Sequence, residues 1–97
     1  MYKNDQAPLF TLGQIVMTPG ALDLMCRAGI FPLRLVLRHQ RGDWGSLDEQ
    51  DRAANDRAVH GRTRILSSYE VGARREKIWI ITEADRSVTT VLLPSEY

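Results

Sequence analysis

The sequence predicts an α+β fold in which an N-terminal strand and about three short helices pack on a three- to four-stranded antiparallel sheet ending in a C-terminal β-meander. Three observations predict this fold. Apolar residues with helical spacing and helix-capping residues dominate residues 18–60. After Gly61 the apolar residues alternate with a period of two, which is typical of strands. Short links join those strands, and short links require antiparallel neighbours.

Length and composition predict one small globular domain. The 97 residues are close to the usual size of a domain, so we expect a flexible tail at residues 1–8 and a single α+β domain at residues 9–97. Apolar residues make up 43% and charged residues 26%, which excludes the disordered class. Cys26 is the only cysteine, and this usage favours a reducing, cytoplasmic location. The apolar runs are too short to span a bilayer, so no membrane partner is expected.

The N-terminal part of the domain is predicted to be a strand followed by a helix. Residues 10–17 have the alternation of a strand, although Gly13 interrupts it. Thr18 is a helix-capping residue, and Pro19 suits the first helical position. The first helix should therefore run from Pro19 to about residue 28, where Gly29 ends it. Its predicted core face consists of Leu22, Met25 and Cys26.

Two further helices are predicted before the sheet. Pro32 begins the second helix, which should end near Gly42 with Leu33, Val36 and Leu37 on its core face. Ser46 and Glu49 have the spacing of a capping box, which predicts a third helix from there to about residue 60. The apolar face of this third helix is thin, so we expect it to pack shallowly on the surface.

Three strands are predicted at residues 64–71, 77–82 and 87–93, where β-branched and aromatic residues are enriched. The middle strand has apolar residues on both faces. We expect Ile78 or Trp79 to pack against the first two helices. The opposite face would then be covered by another segment or exposed as a binding patch.

The first candidate binding surface is a stripe of arginines on the second helix. Arg34, Arg38 and Arg41 follow the i, i+4, i+7 spacing and share one side of the helix. Arginine binds phosphates and carboxylates with paired hydrogen bonds, so the stripe would suit a phosphate group or an acidic partner. Alternatively it is a solvated helix face with aspartates nearby as counter-ions. The net charge of +1 argues against a strongly basic nucleic-acid-binding domain.

The second candidate site is the turn that follows the same helix. His39 and Asp43 would form an acid–base pair in a functional interpretation, with Trp44 as a stacking platform. In the structural interpretation, which we favour, Asp43 binds its own turn, Trp44 fills a helix junction, and Gly42 and Gly45 supply positive φ angles.

Other chemistry finds little support in the sequence. No nucleotide-binding loop, zinc signature or nucleophile elbow is present, so we predict no metal site and no cofactor. Helices followed by an antiparallel meander resemble the layout of small barnase-like ribonucleases. The residue types that such an enzyme needs are present in His60, Glu70, Arg64 and Arg86.

Several segments resemble one group of bacterial proteins. They are Leu37–His39, Gly42–Gly45, Ile65–Tyr69 and Lys77–Ser87, and the likeness extends over about residues 10–97. The group consists of small proteins labelled plasmid-related. The resemblance implies a bacterial cytoplasmic protein carried on mobile elements. It implies no known activity and therefore identifies no catalytic residue.

The sequence thus favours a non-enzymatic accessory protein that binds another macromolecule, with a protein partner preferred over a nucleic acid. The first alternative is a nucleic-acid-binding protein that uses the arginine stripe. The second alternative is a small ribonuclease-like enzyme.

Overall fold

A computed structural model of the protein describes residues 7–97 and shows an α+β fold of three helices and a four-stranded sheet. Residues 1–6, most of the predicted tail, lie outside the described residues. The elements in chain order are β1 (Gln14–Met17), α1 (Pro19–Ala28), α2 (Pro32–Gln40), α3 (Glu49–Gly61), β2 (Ile65–Val71), β3 (Glu76–Thr82), β4 (Val88–Leu92) and a 3-10 turn (Pro94–Glu96).

The sheet is mixed, which corrects the prediction of a purely antiparallel sheet. Its strand order is β1-β4-β3-β2; β2, β3 and β4 form the predicted antiparallel meander, but β1 runs parallel to β4. Short links fix the directions within the meander. The three helices lie between β1 and β2, and such a long connection returns the chain to the same end of the sheet. The first strand is therefore free to pair in the parallel direction.

Strand β1 is shorter than predicted because Gly13 interrupts it. Gly13 has a φ of 64°, and a Cβ at this position would overlap the backbone carbonyl of Ser87. The preceding residues leave the sheet, and Phe10 and Leu12 pack into the core beneath it.

The helix ends agree with the sequence at α1 but differ at the start of α3. Thr18 caps α1 by accepting a hydrogen bond from the Ala21 backbone N–H, and Gly29 ends it in the left-handed region. Helix α3 is capped by Asp48, which accepts from the Asp51 N–H. The predicted capping box at Ser46 is wrong because the Ser46 backbone N–H donates to the Ser68 carbonyl in the middle of β2.

The core faces of both N-terminal helices are rotated from the predicted ones. Leu22, Cys26 and Leu33 are exposed, contrary to prediction. In α2 the apolar residues extend nearly around the helix, and His39 joins the core, so the buried stripe follows His39. The residues that face the sheet are Ala21, Leu24 and Met25 in α1 and Leu35, Val36 and His39 in α2.

The two faces of β3 differ as the sequence suggested. Ile78 is fully buried in the cluster that α1 and α2 form over the sheet. Trp79 lies on the opposite face, where its ring meets Tyr97 edge-on at a centroid distance of 5.8 Å. Ile78 is therefore the residue that packs against the helices.

The rotated face of α2 can be tested with two leucines of the same helix. We expect Leu35→Ala to lower the free energy of unfolding by about 2–4 kcal/mol, because it leaves a cavity in the core. Leu33→Ala should cost less than about 1 kcal/mol, because Leu33 is 44% exposed. Urea unfolding of both variants measures the difference. Equal losses, or a larger loss for Leu33, would support the face predicted from the sequence.

Candidate functional site

Arg34 and Arg38 lie outside the buried face of α2, which consists of Leu35, Val36 and His39. Arg34 and Arg38 are both exposed and line one surface cavity of about 320 Å³. Arg41 is exposed at the C-cap of α2 and is not among the residues that line this cavity. The structure thus brings together the first two residues of the predicted stripe.

Arg38 is held in place by two contacts, one with Asp43 and one with Tyr69. Its Nε donates to the Asp43 carboxylate at 2.7 Å, and its guanidinium carbon lies 4.7 Å from the centre of the Tyr69 ring. The Tyr69 hydroxyl in turn donates to the Asp43 backbone carbonyl at 2.6 Å. The hydrogen bond between Arg38 and Asp43 raises the pKa of Arg38 and lowers the pKa of Asp43. Both groups are therefore charged at neutral pH.

The terminal nitrogens of Arg38 remain free for a ligand. Within residues 7–97, only Nε of this side chain forms a hydrogen bond. Arg34 forms no ion pair with any described residue, whereas Glu70, on the rim of the same cavity, is paired with Arg75 at 3.3 Å. The cavity therefore offers the positioned guanidinium of Arg38 and the guanidinium of Arg34, which has no ion pair among residues 7–97, on the same side of α2.

Two neighbouring cavities adjoin this one through shared lining residues. On one side an apolar cavity of about 310 Å³ shares Gly29 and Ile30 with the arginine cavity. On the other side a cavity of about 250 Å³ shares Arg38 and Glu70. We call the three together the α2 groove. The remaining residues that line it are Leu22, Met25, Cys26, Phe31 and Pro32 at the apolar end, Leu35 and Val71 in the middle, and Gly45, Ser46 and Tyr69 at the other end.

The residues of the candidate turn site are separated from one another. Asp43 is exposed and binds Arg38, whereas the His39 side chain is fully buried and has other partners. Trp44 is also buried, and its indole N–H donates to Asp56 at 3.0 Å. No acid–base pair of His39 and Asp43 forms, and Trp44 is not accessible for stacking on a ligand. The glycines have the expected positive φ angles, 90° at Gly42 and 80° at Gly45.

His39 belongs to a buried chain of hydrogen bonds. Its Nδ1 lies 2.5 Å from the Ser67 hydroxyl, and its Nε2 lies 2.9 Å from the Thr82 hydroxyl. Thr82 is bonded to Thr89, whose hydroxyl donates to the Leu12 carbonyl. Burial, with a smaller effect of the Arg86 charge, lowers the pKa of His39 to about 3, so the imidazole is neutral.

The last acceptor in this series of hydrogen bonds, the Leu12 carbonyl, determines which atom is the donor in each of them. Because Thr89 donates to a carbonyl, its oxygen accepts from Thr82, and Thr82 must then accept from His39 Nε2. His39 Nδ1 therefore carries the lone pair and accepts from Ser67. A serine beside an imidazole is a possible nucleophile and base, but both side chains have no exposure to solvent. This series of hydrogen bonds is therefore a structural element of the core.

The residues of the ribonuclease alternative do not converge. The Arg86 guanidinium is bound by backbone carbonyls, including those of Thr63 and Ala58. Arg64 binds Glu83 and the Tyr97 hydroxyl. Glu70 lies at the other end of β2, roughly 20 Å from Arg64 at the rise of an extended strand. The exposed His60 projects from α3. The structure forms no site from these four residues.

The sequence did not identify Tyr69 and the apolar end as parts of the site. Tyr69 is 26 residues from Asp43 in the chain, and the packing of the turn after α2 against β2 brings them together. The alternation of β2 places Tyr69 on the same face as Ser67, which was the available signal. Leu22 was assigned to the core, although its side chain is 51% exposed on the rim of the apolar cavity.

Comparison of the chain with protein-family models, curated proteins and solved structures finds no match. The described residues contain no group of three or more potential metal-ligating side chains. None of the helices in residues 7–97 is long and apolar enough to cross a bilayer. The α2 groove is therefore the feature on which a functional proposal rests.

Proposed function

We propose that this protein is a non-enzymatic interaction protein and that its α2 groove binds a short acidic segment of a partner protein. The observation that carries the proposal is the geometry of Arg38: Asp43 binds its Nε, the Tyr69 ring covers one face of its guanidinium, and its terminal nitrogens are free. An arginine held in this way loses little entropy when it binds a carboxylate. Arg34, one helical turn away, supplies a second positive charge.

The apolar end of the groove supports a protein ligand. Phe31 is 66% exposed and Leu22 is 51% exposed, and both border a cavity that adjoins the arginines through Gly29 and Ile30. An apolar side chain buried there would contribute about 1–2 kcal/mol. The expected ligand therefore carries an apolar residue next to two or more carboxylates.

Two observations favour an acidic protein segment over a nucleic acid. The net charge of the whole chain is +1. The Glu70 and Asp43 carboxylates also lie beside the arginines, and they would repel a continuous phosphate backbone more than they would two separate carboxylates. For the non-enzymatic part of the proposal, the support is that Ser67 and His39 are inaccessible.

The test is a selection of random peptides displayed on phage, followed by fluorescence anisotropy with the enriched peptide. We expect enrichment of peptides that combine aspartate or glutamate with a leucine or an aromatic residue. Arg34→Glu should weaken binding at least about tenfold, because the new carboxylate would repel the carboxylates of the peptide. Arg38→Gln should weaken it by a similar factor through loss of the charged edge.

Arg57→Glu is the matched control, since Arg57 is exposed on α3 and the charge change is the same. The Arg57→Glu variant should bind the enriched peptide with the same affinity as the unaltered protein. The proposal would be refuted if the enriched peptides lacked acidic residues, or if Arg34→Glu left the affinity for the peptide unchanged. The same assay with single-stranded DNA and RNA at about 50 mM salt tests the nucleic-acid alternative. Binding that disappears when Arg34, Arg38 and Arg41 are all changed to glutamate would favour that alternative instead.

The proposed setting is the cytoplasm of a bacterium, on a mobile element. It rests on the resemblance described for residues 10–97 and on the single cysteine, Cys26, of the sequence. An accessory protein of such an element would act by binding a protein of its host or of the element itself.

A further inference from the structure

The two edges of the sheet differ in how their backbone groups are satisfied. At the β2 edge, the Asn55 side chain binds both the N–H and the carbonyl of Leu66. The Ser68 N–H donates to the Trp44 carbonyl, and the Ser68 carbonyl accepts from the Ser46 N–H. This edge is closed to another strand. At the β1 edge, β4 is the only strand that pairs with β1 among the described residues.

The register of β1 identifies which of its backbone groups face outward. Gln14 donates its N–H to the carbonyl of Ser87, just before β4, and Thr18 donates its N–H to the carbonyl of Val91 in β4. In a parallel ladder the N–H and carbonyl of one residue point to the same side, and consecutive residues alternate. The even-numbered residues of β1 are thus turned toward β4. Ile15 and Met17 present their N–H and carbonyl groups to the outside.

Two common protections of an edge strand, a charged residue and a proline, are missing from β1. Edge strands of monomeric proteins commonly carry a charge, a proline or a bulge that prevents further pairing. Strand β1 contains neither a charged residue nor a proline. Residues 6–22 include no charged residue, although 26% of the whole chain is charged. Its side chains Ile15 and Val16 are 43% and 37% exposed. An edge with these properties is a template for another strand.

We propose that β1 pairs antiparallel with β1 of a second copy of this chain and forms a symmetric dimer. This inference is independent of the function proposed for the α2 groove. With the two-fold axis at Val16, Ile15 lies opposite Met17 of the second copy, and these outward-facing residues exchange both of their hydrogen bonds. Both side chains lie on the face that the helices cover, so the pairing keeps the helices of both copies on one face of a continuous sheet.

A second copy fits this edge better than a charged partner segment does. The strand offers no charge that could select an acidic or a basic peptide. When two copies of β1 pair, no like charges lie opposite each other. Two valines lie opposite each other at the axis, which is a favourable cross-strand pair. Pro19 has no N–H and begins α1, so the pairing cannot extend further in that direction. The contact is short, and we expect a dimer with a micromolar dissociation constant.

Sedimentation velocity from about 1 µM to about 500 µM tests the dimer, since small interfaces dissociate in this range. We expect a shift from monomer to dimer with increasing concentration. Val16→Lys should abolish the dimer, because two ammonium groups would meet at the axis. Ile15→Pro should also abolish it, because the N–H that it removes faces outward and does not bind β4. Leu33→Lys, on an exposed leucine of α2, should dimerise normally.

Amide hydrogen exchange supplies a readout that is specific to this strand pair. The Ile15 and Met17 amides should exchange rapidly at low concentration and slowly at high concentration. The Val16 amide faces β4 and should be protected at both concentrations, which makes it the internal control. A protein that stays monomeric throughout the range would overturn the proposal. So would a dimer that persists in both β1 variants, or one in which Ile15 and Met17 remain unprotected.

Discussion

Gly45→Val is expected to lower the free energy of unfolding by about 4 kcal/mol or more, which few single substitutions do. Gly45 has a φ of 80°, a region that β-branched residues tolerate least. It also forms a bridge with Ser68, and a Cβ added here would overlap the Ser68 carbonyl oxygen. The obstacle is backbone in the middle of β2, which cannot move without disrupting the sheet.

Two other glycines separate the contributions to this loss. Gly29→Val introduces the same strain, since Gly29 has a φ of 69°, but a Cβ there meets no atom within 4 Å. It should cost about 1–3 kcal/mol. Gly61→Val meets no atom and has an ordinary φ, so we expect a change below about 1 kcal/mol. Urea unfolding of the three variants checks this order. A Gly45→Val protein as stable as Gly29→Val would contradict the close approach to Ser68.

The limits of most elements could be predicted because their signals are local. The capping hydroxyl of Thr18, the proline after it and Gly29 act within one helical turn, and they define α1 at Pro19–Ala28. The alternating apolar pattern likewise identifies the three strands of the meander to within one residue or two. The start of α3 was missed because two residues, Ser46 and Asp48, both suit a helix cap. Only the bond from Ser46 to Ser68 decides between them.

The direction of β1 and the faces of the helices could not be predicted because distant residues determine them. Strand β1 pairs with β4, which is more than 70 residues away in sequence. The core face of α2 depends on His39, a polar residue that sequence patterns place on the surface. It enters the core because Ser67 and Thr82, from β2 and β3, bind both of its nitrogens.

The candidate site shows the same division between local and distant signals. The helical spacing of Arg34 and Arg38 predicted that they lie on one side of α2, and both line one cavity. The sequence predicts that Asp43 binds the backbone of its own turn, and its carboxylate accepts from the Gly45 N–H at 3.3 Å. Its second role, holding Arg38 beside Tyr69, requires the packing of α2 on β2. The charge pattern therefore predicted the surface but not its geometry.

The proposed dimer would change how the proposed binding site works. Each copy would carry one α2 groove on the same face of the joined sheet. A partner with two acidic segments, or an oligomeric partner, would then bind with higher overall affinity than a single segment does. Val16→Lys should in that case weaken binding of a two-segment ligand and leave binding of a single peptide unchanged. The two proposals thus remain separable in one binding assay.

Acidification is expected to destabilise the protein by about 2 kcal/mol between about pH 7 and pH 5, with His39 as the main cause. Burial lowers the pKa of His39 in the folded protein to about 3, whereas an unfolded histidine has a pKa near 6.5. Between these values the unfolded chain binds a proton that the folded chain does not. The stability is therefore complete above about pH 6.5 and falls as the pH decreases toward 3. The lowered carboxyl pKa values of Asp43, Asp85 and Glu96 add a further loss only at lower pH.

His39→Leu tests whether this residue is the source of the pH dependence. Leucine removes the titrating group and leaves the Ser67 hydroxyl without its acceptor, so the variant should lose about 2–4 kcal/mol at pH 7. Because it has no proton to bind at this position, its stability should change little between about pH 7 and pH 5. The difference from the unaltered protein should therefore shrink by about 2 kcal/mol over that interval. His60→Gln, on the exposed side of α3, should retain the full dependence. Urea unfolding at both pH values measures all three proteins, and a His39→Leu protein with an unchanged pH dependence would show that other groups cause it.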